Sequence, residues 1–255
     1  LTIGYDAVGR VFASNGIVAT HTNRSRIQTL TLGPGKVVTY SYDSRNLLSQ
    51  DTDWIGGATT FRYDDNGRVT SMTRPNGVTT TYSYDLNDRI VGITEGALST
   101  ISLTRDANGL TTAAVRNVPQ STSSLGNSRA LSYDAASQIA TFTYDGQGRL
   151  TSDGGRTYTW DLASRLETYD TGSETLIYEY DGFGNRTART DSVATTRYAI
   201  SYSLGLPSVS AERVNAVDTR YYVHTPGGAL LYSVDAGNDS RHFYHYDETG
   251  NTLFL

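Results

Sequence analysis

Apolar and polar positions alternate over short stretches of this chain, and the stretches repeat. "VTYSYDSRNLLSQDT", "TTFRYDDNGRVTSMT" and "TTYSYDLNDRIVGIT" follow one another in register. In each, a large side chain (Tyr40, Phe61, Tyr82) stands two residues before an aromatic (Tyr42, Tyr63, Tyr84). A polar residue (Ser41, Arg62, Ser83) lies between them, and an Asp follows. A spacing of two puts both large side chains on one face of a strand and the polar residue on the other. The pattern predicts a half-buried strand that ends at the Asp.

The aromatic-Asp anchor recurs at Tyr5, Tyr133, Tyr144, Trp160, Tyr180 and Tyr246. Degenerate copies stand at His21-Thr22 and Arg105-Asp106. Anchors at 21, 42, 63, 84 and 105 are spaced by 21, and a gap of 66 precedes the one at 246. The large residue two before the anchor includes Leu103, Leu131, Phe142, Tyr158, Tyr178 and Tyr244. Four residues after the anchors come Gly9, Ser25, Asn46, Gly67, Asp88, Gly109, Ser137, Gly148, Ser164, Gly184 and Gly250. These residue types suit a turn position with positive φ. Gly35 lies outside the frame and carries no such expectation. Six residues after the anchor an apolar residue opens a second strand, as at Val11, Ile27, Leu48, Val69 and Ile90; Thr111, Arg186 and Thr252 break this rule. Each repeat therefore reads as strand, tight turn, strand. Lone hairpins are marginal in water, so the copies are expected to pair side by side. The fold class expected is all-β: one continuous, curved antiparallel sheet of hairpins, in a single array over 1–255. Residues 1–190 are the regular part and 191–255 a distinct C-terminal part.

Composition narrows the chemistry. The chain has 255 residues, a net charge of −5 and no cysteine. Disulfides and Cys-ligated zinc are excluded, and the charge argues against a nucleic-acid partner. No stretch is long and apolar enough for a transmembrane helix, and "LTIGYDAVGR" does not read as a signal peptide. Lys36 is the sole lysine among 21 basic residues. That bias points to arginine held in fixed hydrogen-bonded geometry.

Three functional readings arise. The rows of Tyr and Phe read either as a packed layer on one sheet face or as a platform for sugar rings. Asp64 with Arg68, Asp85 with Arg89, Asp145 with Arg149 and Asp161 with Arg165 read as local ion pairs and turn caps, since catalysis is not repeated along an array. "DDNG" and "DAGND" match no calcium loop, and no cofactor or metal site is expected. The break in monotony is "RHFYHYD". Alternation there puts His242, Tyr244 and Tyr246 on one face, and Arg241, Phe243, His245 and Asp247 on the other. Arg241, His242, Tyr244 and His245 are the candidate catalytic residues. Arginine would neutralise a uronate carboxylate while His or Tyr moves the proton, as in a polysaccharide lyase. The competing reading is a strand whose aromatics pack.

"YDDNGRVTSMTRPNG", "YDGQGRLTSDGG" and "YEYDGFGNRTART" resemble the YD repeats of the RHS (rearrangement hot-spot) family. "TRYYVHTPGGALLYSVDAGNDSRHFYHYDETGNTLFL" is similar to the end of an RHS core. The family includes the C components of insecticidal ABC toxins, bacterial RHS toxins and animal teneurins. The resemblance implies repeats that spiral into a hollow shell, which in the bacterial proteins encloses a toxic domain. It implies a structural, non-catalytic segment of a large secreted, exported or surface protein. Its partners would be the rest of its own shell or an encapsulated polypeptide. The self-cleaving core segment of the family has no counterpart here, so no autoprotease residue is assigned. The alternative is a carbohydrate-binding module or polysaccharide lyase with a polysaccharide partner.

Overall fold

The computed structural model describes residues 1–119 and 130–255. Among these residues there is no helix, and hence none long and apolar enough to cross a membrane. The chain forms two compact units. The larger comprises described residues 2–119 with Ser201–Ser208 and Tyr221–Leu255; the smaller comprises 130–200 with Leu1 and Val209–Arg220.

In the larger unit, twelve strands from Ile3–Tyr5 to Thr111–Asn117 pair strictly in chain order. Every pairing is antiparallel. The first and last strands do not pair, so this sheet is open. Strand Leu230–Asp235 pairs with Arg241–Phe243, and a separate two-stranded sheet joins His245–Tyr246 to Thr252–Phe254. In the smaller unit, strands from Thr143–Tyr144 to Thr195–Ser201 also pair each with the next. The all-β, antiparallel expectation holds, with the pairing divided among sheets.

The turn explains the repeat. At Asp64, the backbone N–H donates to Arg68 O (3.0 Å), and Gly67 N–H donates back to Asp64 O (3.1 Å). The Asp64 carboxylate then accepts from Asn66 N and Arg68 N through one oxygen, at 3.0 and 2.9 Å. An aspartate side chain that satisfies otherwise orphaned turn donors is the physical reason Asp follows the anchor. The register shifts at the anchors that lie in paired strands, for example between Arg62 and Tyr63. A left-handed residue beside a one-residue bulge is the geometry of a three-residue hairpin loop. Every described frame position four after an anchor has positive φ, from Ser25 at 60° to Gly109 at 90°. Gly35, outside the frame, also has a positive φ, at 70°, because it closes the hairpin between Gly33 and Lys36.

Three further turns have the same hydrogen bonds without an aromatic anchor. They open at Asp53, Arg74 and Thr225, with Gly56, Gly77 and Gly228 at positive φ. The gap before Tyr246 thus contains a copy at His224-Thr225. Second strands also begin at Thr111, Arg186 and Thr252 although none is apolar, because the bulge and turn fix the register there. The frame is weakest around Tyr133, which makes an isolated bridge to Ile139. Leu131 is exposed and Phe142 sits in a bend between these elements.

The larger unit holds the main core. Ile17, Leu30, Leu32, Val38 and Tyr40 are buried, as are Tyr221, Val223, Leu231, Tyr232 and Val234 from the C-terminal segment. The Tyr40 hydroxyl donates to His224 O at 2.8 Å, and Trp54 meets Tyr221 edge-on at 5.3 Å.

Candidate functional site

Neighbouring hairpins are joined by a recurring set of side-chain contacts. The anchor hydroxyl of one hairpin donates to a carbonyl of the hairpin before it: Tyr42 to Ile27, Tyr63 to Leu48, Tyr84 to Val69, Tyr180 to Leu166 and Tyr246 to Leu230, at 2.7–2.9 Å. Trp160 does the same with its indole N–H to Leu150 O (2.7 Å). Arginine works in the other direction. Arg68 holds Asp64 through Nε (2.6 Å), while its Nη1 reaches Asp88 in the next hairpin (2.7 Å). Arg149 and Arg165 hold Asp145 and Asp161 in the same way and donate to the Asp161 and Asp181 carbonyls, both at 3.0 Å. The guanidinium of Arg68 also lies over the Tyr84 ring at 4.7 Å, and that of Arg165 over Tyr180 at 4.9 Å. Only a planar fork reaches its own turn and the next one together, which accounts for the near absence of lysine. Backbone N–H bonds from Arg68, followed by its side chain, hold the Asp64 carboxyl below the usual carboxylate range despite some desolvation.

The C-terminal candidates do not converge on one groove. Arg241 forms a two-pronged pair with Asp53, Nε to Oδ2 at 2.8 Å and Nη2 to Oδ1 at 3.0 Å. His242 is exposed and sits beside Asp235, with Nε2 3.0 Å from Oδ2. His245 is buried, with Nδ1 2.8 Å from Glu95 Oε2, and its ring stacks on Phe254 at 4.3 Å. Tyr244 donates its backbone N–H to Leu231 O (3.1 Å) and accepts from Arg74 at its carbonyl (3.4 Å). The faces predicted by simple alternation are interrupted, because the strand breaks between Phe243 and His245. A lyase needs an arginine and a base with free valences toward a substrate. Here Arg241 and His245 are committed to buried carboxylates.

Two polar clusters emerge instead. In one, buried Glu95 receives Arg74 Nη2 (3.3 Å), Thr80 Oγ1 (3.1 Å) and Ser99 Oγ (3.1 Å), and meets His245. Burial pushes the Glu95 carboxyl up, but the hydrogen bond and charge of His245, the charge of Arg74 and the Thr80 hydroxyl bring it below its ordinary value. In the other, Asp53 holds Arg241, the Tyr232 hydroxyl (3.1 Å) and its own turn amides at Ile55 and Gly57. In the turn at Asp64 the residue four after the Asp is an arginine. At Asp53 it is Gly57, and a Cβ there would strike the Arg241 guanidinium. Arg241 thus fills from afar the place of the missing local arginine.

Beside Arg74 lies a largely apolar cavity of about 330 Å³, lined by Phe61, Met72, Tyr82, Tyr84, Tyr244 and Tyr246. Burial pushes the Tyr82 and Tyr246 hydroxyls up to about 12. These rings belong to the packed layer, and the Tyr84 and Tyr246 hydroxyls are engaged with backbone. Among the described residues no group of three or more metal-ligating side chains is gathered. Sequence reading missed Asp53, Arg74 and Glu95. The signals available were "DWIGG" and "RPNG", turn frames whose anchor partner or capping residue has changed type.

Residues 63–100 match the RHS Repeat family. That span contains the turns at Asp64, Arg74 and Asp85 and, of the Glu95 cluster, Arg74, Thr80, Glu95 and Ser99. The turn found within the matched residues recurs outside them, from Asp6 to Asp247. Comparison with curated proteins finds no match. Among solved structures, the crystal structure of TcdB2-TccC3-TEV is 15% identical, with 93% of this chain and 15% of that chain covered and a TM-score of 0.28. The Photorhabdus luminescens Tc holotoxin pore with a TccC3 mutation is 13% identical, with 99% and 17% covered and a TM-score of 0.28. A porin-like protein from Bacteroides uniformis is 12% identical, with 94% and 92% covered and a TM-score of 0.17. The chain spans 15% and 17% of the length of the first two. TM-scores this low place no residue of this chain onto those structures.

Proposed function

We propose that this chain is a structural segment of a large exported or surface RHS-type protein, one stretch of a wall that encloses a polypeptide. It is non-catalytic by itself, and residues 1–255 belong to a single array of repeats, with 191–255 as the end-of-core part. The observation that carries this reading is the hairpin-to-hairpin ladder. The same tyrosine, aspartate and arginine contacts recur from turn to turn, which serves extension and not a single reaction centre. The C-terminal Arg and His residues support it too, since Arg241 and His245 brace that segment against Asp53 and Glu95. A wall segment needs a rigid sheet whose repeats pair with further repeats, and an open sheet of ordered hairpins meets that need.

The test is protease protection. The reading frame to which these residues belong is expressed whole, and a polypeptide encoded in continuity with it is followed during digestion. Protection of that polypeptide, lost when Arg68 and Arg89 are both replaced by Gln, is the expected result. Equal digestion with and without the repeat segment would reject the wall reading. Acidic polysaccharides incubated with the chain are expected to yield no unsaturated product absorbance, and turnover lost in Tyr244→Phe would reject the non-catalytic reading.

A further inference from the structure

Asp51 lies on strand Leu48–Thr52, two residues before Asp53, so the two carboxyls share one side of the sheet. It is fully buried, between Tyr40 and Thr59 in the register of its neighbours. Among the described residues, neither Asp51 oxygen meets a hydrogen-bond partner, and the Thr59 hydroxyl has none either. The nearby guanidinium, Arg241, uses two of its nitrogens on Asp53, and the Tyr232 hydroxyl also donates to Asp53. Of the two carboxyls, it is Asp53 that holds the cation. The other titratable groups around them carry no compensating charge. Tyr40 and Tyr232 are pushed up by burial and by the neighbouring carboxylates, and His224, whose carbonyl takes the Tyr40 hydroxyl, is held neutral by burial. Lys36 lies over the Trp54 and Tyr221 rings.

We propose that Asp51 is a proton-dependent latch: protonated, it lets the segment that carries Tyr232 and Arg241 close over strand Leu48–Thr52, and ionised, it loosens that segment.

An ionised carboxylate without a partner is costly in a dry site, so the closed state keeps the proton. Burial pushes the Asp51 carboxyl up to about 7, and the charge of Asp53 adds to the rise. A raised carboxyl contributes closure that is complete below the ordinary aspartate value and lost as pH rises toward about 7. His224 runs the other way. Burial lowers its ring to about 4, so its contribution is complete above the ordinary histidine value and lost as pH falls toward about 4. The two slopes oppose each other in mildly acid solution. The latch is therefore read as a difference between wild type and Asp51→Asn at equal pH.

Hydrogen exchange is measured on the 255-residue chain at the amides of Tyr232–Val234 and Arg241–Phe243. Protection of Asp51→Asn relative to wild type is expected to grow about tenfold per pH unit between about pH 4.5 and 6.5 and to level off above about 7. Strands remote from the latch, such as Ala58–Tyr63 and Thr79–Tyr84, should show a much smaller change. A ratio that does not vary with pH overturns the proposal. So does a ratio that varies equally at all amides, which would report global unfolding and not a latch. Carboxyl ¹³C titration of wild type gives a second readout that needs no variant to fold. An Asp51 resonance titrating well above the other aspartates supports the latch, and one titrating at the ordinary aspartate value overturns it.

Discussion

Arg241 grips Asp53 across 188 residues of chain, and it can do so because Gly57 has no side chain. In the turns at Asp6, Asp64, Asp85, Asp145 and Asp161 the aspartate is held by the arginine four residues on. At Asp53 the same role passes to the C-terminal segment. A local cap has become a long-range clasp. Arg241→Ala leaves a buried carboxylate with only Tyr232 and turn amides, and is expected to destabilise by about 3 kcal/mol. Gly57→Arg alone should also destabilise, by collision with Arg241. Combined with Arg241→Ala, it restores the local pair and should recover part of the loss. Denaturant midpoints of the three variants check this, and a double variant no better than Arg241→Ala counts against the exchange.

The tyrosine ladder predicts unequal effects from equal chemistry. Tyr84→Phe removes a hydroxyl that donates to Val69 O at 2.8 Å, and should cost about 1 kcal/mol. Tyr5 is 61% exposed, so Tyr5→Phe should leave the midpoint unchanged. Equal losses would mean that the hydroxyls act through something other than the hairpin-to-hairpin bond.

One turn contains its own control for backbone strain. Gly148 has φ of 79°, whereas Gly146, two residues earlier, has no positive φ and open space around its Cβ position. Gly148→Val is expected to cost about 1–3 kcal/mol, because a branched side chain is strained in the left-handed region. Gly146→Val should cost much less. Thermal unfolding of the two variants decides, and reversed order would reject the turn assignment.

The fold was readable because its code is local. Tyr63, Asp64, Gly67 and Arg68 lie within six residues, and each has a role fixed by short-range geometry, so alternation and turn chemistry identify them. The turns at Asp53, Arg74 and Thr225 escaped because Thr52, Thr73 and His224 replace the aromatic anchor while the hydrogen bonds persist. The candidate site was not readable for a different reason. Which partner Arg241 or His245 meets depends on how residues 221–255 pack on strands far earlier in the chain. Alternation within "RHFYHYD" says only which side chains share a face, and the break after Phe243 cancels even that. Asp51 looked like any polar strand residue, and its burial is visible only once Tyr40 and Tyr232 have closed around it.

Acid should undo the turns by a mechanism separable from the latch. At Asp247, desolvation pushes the carboxyl up, but hydrogen bonds from Thr249 and Asn251, side chain and backbone, outweigh it and lower the carboxyl to about 2. The ordinary aspartate value is near 4. Because the folded value is depressed, the ionised turn contributes stability that is complete above the ordinary value and lost as pH falls toward about 2. Asp247→Asn is therefore expected to be less stable than wild type at neutral pH, since Asn supplies one acceptor oxygen where the carboxylate supplies two. The deficit should shrink between about pH 4 and pH 2, where the wild-type aspartate itself takes up a proton. Chemical denaturation of Asp247→Asn and of wild type from pH 2 to pH 8 tests this. A deficit for Asp247→Asn that stays constant down to pH 2 would show that the carboxylate charge has no part in holding the turn.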